Sequence, residues 1–82
     1  MTQHTNICID IEEEKVTKLQ TIINDLFESG SVSSNKIEDF IKFTLFIVFD
    51  EYERDIYSLK KFYSMNLVKY LEYREHQTHS GF

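Results

Sequence analysis

Helix-breaking residues are almost absent from this chain. It has no proline, and its two glycines are Gly30 and Gly81. Since proline and glycine are the strongest interrupters of helices, their scarcity favours long helices with few breaks. Only the stretch SGSVSSN, residues 29–35, is typical of a loop. The sequence therefore predicts a mainly α-helical domain.

Apolar residues at helical spacing predict three helices in this single small domain. Their approximate ranges are residues 12–28, 34–54 and 57–76. From Lys36 to about Thr78 no residue type marks a boundary, yet one continuous helix could not fold back on the first. We therefore expect a bend or break around residues 53–58.

Each helix has an apolar side that is expected to face the others. This side contains Val16, Leu19, Ile23, Leu26 and Phe27 on the first helix; Ile37, Phe40, Ile41, Thr44, Leu45, Val48 and Tyr52 on the second; and Ile56, Leu59, Tyr63, Leu67, Tyr70 and Leu71 on the third. Gly30 is expected to end the first helix in the left-handed conformation. Ser33 or Ser34 is expected to cap the second by accepting a backbone N–H bond.

The two ends of the chain are expected to lie outside the helical body. Residues 6–11, NICIDI, alternate between apolar and polar, which suits a short strand that would need a partner strand from a second chain. The alternative is an extended arm over residues 1–11 that lies on the helices. Residues 76–82 are expected to form a flexible tail.

The segment FIKFTLFIVF, residues 40–49, is too apolar for a helix that is covered on one side only. Its three phenylalanines outside the apolar side would form a patch that monomeric proteins seldom expose. Since a chain of this length buries only about 60–65% of its unfolded surface, we expect another polypeptide, such as a second copy in a homo-oligomer, to cover them. The predicted partner-binding residues are Phe43, Phe46, Ile47, Phe49, Asp50 and Glu53.

Composition and motifs argue against chemistry as the function. The net charge is −5, with −7 over residues 1–55 and +2 over residues 56–82, which disfavours a surface for phosphate backbones. No catalytic or phosphate-binding motif is present, so we expect no enzyme activity and no cofactor. His76 and His79 could gather near Glu72 or Glu75 as metal ligands, but a solvated tail is the preferred interpretation.

The sequence also predicts a soluble protein of a reducing compartment, the cytoplasm. Cys8 is the only cysteine, which excludes a disulfide within the chain. The N-terminal residues lack the basic start of a secretory signal. The apolar segment 40–49 is about half the ~20 residues that a membrane-spanning helix needs.

A ribbon-helix-helix DNA-binding dimer is the alternative function. The order of strand, helix, Gly-Ser turn and helix over about 45 residues is that of such repressors. The outward strand positions would be Asn6, Cys8 and Asp10, and Asp10 would repel phosphates. No arginine or lysine lies there to read guanine, so this interpretation ranks second.

The opening MTQHTNICIDIEEEKV, the central FIKFTLFIVFDEYERD and the length of 82 residues resemble the lysis-inhibition accessory proteins of T-even bacteriophages, encoded at the third rapid-lysis locus. The resemblance covers the whole chain, although this family offers no catalytic or ligand signature to compare residue by residue. It implies a cytoplasmic antiholin that binds the cytoplasmic N-terminal segment of the phage holin. Such binding would delay host lysis, in cooperation with a periplasmic antiholin.

Overall fold

The computed structural model describes residues 2–77 and 82, and these residues form three helices. The helices are α1 (Glu13–Glu28), α2 (Ile37–Arg54) and α3 (Ile56–Glu75), and no strand occurs in the described part of the chain. The prediction of a small three-helix fold is confirmed, with each helix boundary within three residues of the expected one. The expected homo-oligomer stays a prediction.

Helix α1 ends as its glycine predicts. Gly30 has φ +77°, which is the left-handed conformation. The Ser31 N–H donates to the Leu26 carbonyl at 2.8 Å, and the Gly30 N–H donates to the Phe27 carbonyl at 3.1 Å. These two bonds form a Schellman motif, which satisfies carbonyls that the last turn leaves without partners.

Helix α2 begins without the serine cap that the sequence suggested. Its N-terminal flanking residue is Lys36, which has no side-chain cap. The Ser34 hydroxyl instead accepts from the Lys36 N–H at 3.2 Å and donates to the Asp39 carboxylate at 2.7 Å. The expectation that Ser33 or Ser34 caps α2 is therefore wrong: Ser34 forms a local turn before the helix, and α2 starts at Ile37.

A single residue, Asp55, separates α2 from α3, inside the range expected for the break. Its carboxylate accepts the Tyr57 N–H at 3.2 Å, the Ser58 N–H at 3.3 Å and the Ser58 hydroxyl at 2.7 Å. The bond from the Ser58 hydroxyl, followed by that from the Ser58 N–H, holds the pKa of Asp55 below its ordinary value. Asp55 is thus the N-cap of α3.

The core is small and lies on α1. Ile23 is 0% exposed and is the one fully buried hydrophobic residue of the described chain. Helix α2 packs against both α1 and α3. The apolar residues that are half-buried are Ile11, Val16, Leu19, Leu26, Val32, Ile37, Phe40, Val48, Ile56, Leu59 and Tyr73. The apolar side of α1 is therefore covered except at Phe27, whose expected burial is wrong because it is 44% exposed near the end of the helix.

Much of the apolar side predicted for the other two helices is uncovered. On α2, Ile41, Leu45 and Tyr52 are exposed. On α3, the expected burial of Tyr63, Leu67, Tyr70 and Leu71 is wrong: every residue of the range 60–72 is exposed. The physical reason is that α1 packs on α2 but not on α3, so an open groove is left beside the middle of α3 and its half-buried positions lie near its ends.

The N-terminal arm does not lie on the helices. Residues 2–10 have no regular secondary structure, and Ile7 and Ile9 are 82% and 71% exposed. The arm is held where it joins α1: Phe82 donates its N–H to the Asp10 carbonyl at 2.7 Å, and its own main-chain oxygen accepts from the Glu12 N–H at 3.1 Å. Of the predicted tail, residues 78–81 lie outside the described residues.

The molecule is open for its size. Its accessible surface is 7817 Å², whereas a folded monomer of 9.9 kDa exposes about 5,200 Å². Its radius of gyration is 15.1 Å, compared with about 12 Å for a compact domain of this length. The exposed arm contributes part of the excess surface, and α2 and α3 contribute much of the rest.

Candidate functional site: an exposed phenylalanine face

Four apolar side chains on α2 form an uncovered patch, here called the phenylalanine face. Phe43 is 40%, Phe46 61%, Ile47 46% and Phe49 64% exposed. Because a helix turns about 100° per residue, Phe46 lies opposite the half-buried Ile37, whereas Ile47 lies beside the half-buried Phe40 at the edge of the patch. The expectation that the three phenylalanine rings are not enclosed by the chain's own helices is confirmed.

Acidic residues border the phenylalanine face at the end of α2. Asp50 is exposed, its carboxylate lies 3.3 Å from the guanidinium of Arg54, and Arg54 also pairs with Glu51. The hydrogen bond to Glu51, followed by the charges of Glu51 and Asp50, raises the pKa of Arg54. Since this one arginine is shared by two carboxylates and Glu53 is also exposed, the border keeps a net negative charge.

The predicted site residues are therefore brought together on one element. Phe46 and Ile47 lie one turn after Phe43, and Phe49, Asp50 and Glu53 continue toward the C-terminal end of α2. All six side chains are exposed. No residue of the described part of the chain covers this face fully.

A second surface was not foreseen from the sequence. An apolar groove of about 550 Å³ lies between α1 and α3 and is bordered by Lys15, Lys18 and Lys69. The Lys15 ammonium lies 4.3 Å from the centre of the Tyr73 ring and 5.1 Å from that of Phe82. The surface, here called the lysine groove, joins residues too distant in sequence for any helical periodicity to connect them.

The comparisons with known proteins give no relative. The sequence matches no protein-family model, and no curated protein or solved structure matches it.

The other candidate sites find little support in the described residues. Within residues 2–77 and 82 there is no group of three or more His, Cys, Asp or Glu side chains placed to hold a metal. His79, one of the considered ligands, lies outside the described residues. The arm of the single chain forms no strand, so the DNA-reading ribbon of the alternative function is not present there. Among the described helices, none combines the length and the apolar character needed to cross a bilayer.

Proposed function

We propose that the chain is a non-enzymatic interaction module that binds a helical segment of another protein on the phenylalanine face. The observation that carries this proposal is the exposure of Phe43, Phe46 and Phe49 beside Asp50 and Glu53. Interfaces are anchored by aromatic side chains at the centre, and charges around them select the partner. The phenylalanine face has this arrangement of apolar centre and charged border.

The resemblance to phage lysis-inhibition proteins supplies the partner in this proposal. It is the cytoplasmic N-terminal segment of a phage holin, which makes the chain a cytoplasmic antiholin. An amphipathic helix with basic residues beside its apolar stripe would match both the aromatic rings and the acidic border. Occupying that segment would keep holin molecules from assembling, and host lysis would be delayed.

The proposal is tested by titrating the purified protein with a synthetic peptide of the holin's cytoplasmic segment. In Phe46→Asp we expect binding at least tenfold weaker, because removing an aromatic anchor from the centre of an interface commonly costs more than about 1.4 kcal/mol. The far-UV circular dichroism should stay unchanged, since Phe46 is exposed in the free chain.

Phe62→Asp is the matched control. Phe62 lies on α3 and is 61% exposed, the same fraction as Phe46. We expect this variant to bind the peptide like the wild type. Equal weakening by both substitutions, or a folded Phe46→Asp protein that binds the peptide normally, would contradict the assignment of the phenylalanine face. A wild-type protein that does not bind the peptide would contradict the proposed partner.

A further inference from the structure

The lysine groove has an apolar lining and a positive border. Leu19 of α1 and Tyr70 of α3 line it together with Phe82, and Lys18 and Lys69 stand exposed at its edge. A groove of this kind fits a helix that carries apolar side chains with carboxylates beside them. The apolar side chains of that helix would fill the groove, and its carboxylates would meet the lysines at the edge.

The interior of the groove adds positive charge without a partner. The Lys15 ammonium is buried under Tyr73 and Phe82, and neither it nor the Tyr73 hydroxyl has a hydrogen-bond partner among the described residues. A buried ammonium that lacks a carboxylate is costly. A negatively charged group that binds in the groove would therefore offset the cost of burying the Lys15 ammonium.

The chain itself carries the complementary surface. The phenylalanine face presents Phe46 and Phe49 beside Asp50 and Glu53. It is apolar and negative, whereas the lysine groove is apolar and positive. We propose that two copies of this chain associate reciprocally, each placing its phenylalanine face in the lysine groove of the other. When both contacts form at once between two copies, the arrangement is a closed two-fold dimer, whereas contacts that could form only singly would build an open chain of copies, which sedimentation distinguishes.

The exposed area of the chain is sufficient for this dimer. The surface exceeds that of a compact monomer of the same mass by about 2,600 Å². About a third of this excess equals the ~800 Å² that each partner buries in a standard protein interface. The rest of the excess includes the exposed N-terminal arm and the middle of α3.

Charge reversal on each surface tests the proposal in the purified protein. By sedimentation velocity at tens of micromolar, we expect the wild type to be a dimer. The groove variant Lys18→Glu/Lys69→Glu and the face variant Asp50→Lys/Glu53→Lys should each dimerise at least tenfold more weakly. Lys60→Glu/Lys61→Glu is the matched control, since both lysines are exposed on α3 but do not line the groove.

Mixing the two weakened variants gives the decisive result. In the mixture, the unaltered acidic face of the groove variant meets the unaltered groove of the face variant, and the two reversed surfaces also attract each other. We therefore expect a dimer to reappear that neither variant forms alone. Circular dichroism of each variant at the same concentration establishes that it is folded.

Three results would overturn the proposal. They are a wild type that sediments as a monomer, a dimer that survives both reversals, and a mixture of folded variants that stays monomeric. The dimer and the proposed holin complex use the same phenylalanine face and would compete for it, but sedimentation tests the dimer by itself because no partner protein enters that measurement. Failure of the holin peptide to bind at a protein concentration low enough to dissociate the dimer would refute the proposed function alone.

Discussion

Helices α1 and α3 both carry many apolar residues, but those of α1 are concentrated on one side and covered by the rest of the chain, whereas those of α3 are spread around the helix and exposed. Ile23 of α1 is fully buried, with Val16 and Leu19 half-buried on the same side. The middle of α3, residues 60–72, is exposed throughout. The comparison teaches that a concentrated apolar side directs a helix into the core, whereas apolar residues spread around a helix do not determine which side the rest of the molecule covers.

The largest difference is expected between two truncations of apolar side chains, one on α1 and one on α3. Ile23→Ala should lower the free energy of unfolding by about 2–4 kcal/mol, because it leaves a cavity at a buried position. Leu67→Ala on α3 should change it by less than about 0.5 kcal/mol, as is usual for exposed positions. Urea unfolding at low protein concentration, where any dimer dissociates, measures both values.

The same two variants can also contradict the difference in burial between α1 and α3. A loss for Leu67→Ala as large as that for Ile23→Ala would mean that the middle of α3 is covered in the isolated chain. If Leu67→Ala lowered the free energy of unfolding only at high protein concentration, the middle of α3 would be covered by another molecule.

A smaller effect is expected at the end of the covered helix. Gly30→Ala should cost about 1 kcal/mol, because alanine is disfavoured at φ +77°. No neighbouring atom lies within 4 Å of the position that the added Cβ would take, so the cost is one of backbone conformation alone. Gly30→Asn should lose less stability, since asparagine tolerates this conformation.

The same urea unfolding experiment measures both Gly30 variants. If Gly30→Ala were as stable as the wild type, the Schellman motif would not hold the end of α1 in solution.

The smallest effect is expected at the start of the exposed helix and depends on pH. The pKa of Asp55 is lowered by its bonds from Ser58, so its contribution to stability is fully present above its ordinary pKa of 3.8 and is lost as the pH falls through the lower, folded-state value. Asp55→Asn keeps an uncharged acceptor at the cap and should not show this loss.

Circular dichroism of the two proteins between pH 6 and pH 2 measures this difference. All other carboxylates are common to the wild type and Asp55→Asn, so the difference between their titrations reports on Asp55. Identical acid titrations would show that the cap does not respond to protonation.

The sequence predicts the elements of this fold better than their packing. The absence of proline and the position of Gly30 are local signals, and they place the helices to within three residues. The break at Asp55 was expected from the need of the chain to fold back. The cap at Ser34 was predicted wrongly, because a serine hydroxyl close to a helix start can bond to Asp39 and the Lys36 N–H without being the cap itself.

Of the two candidate surfaces, one was predicted from the sequence and the other was not. The phenylalanine face follows from the spacing of residues on a single helix, and so it was found from the sequence. The lysine groove joins Lys15 and Lys18 with Lys69 and Phe82, and their proximity depends on the angle between α1 and α3. The spacing of residues in the sequence does not determine that angle, so the groove could be recognised only in the structure.

Asp55 leaves no spare residue between α2 and α3, and this ties the sequence spacing of the two helices to their rotation. Since each helical residue advances by about 100° around the axis, inserting one residue before Asp55 would turn the sides of α2 by that amount relative to the joint. The phenylalanines and the groove-lining side of α3 would then point in new relative directions. A single insertion or deletion here would therefore change the docking geometry while leaving both helices intact.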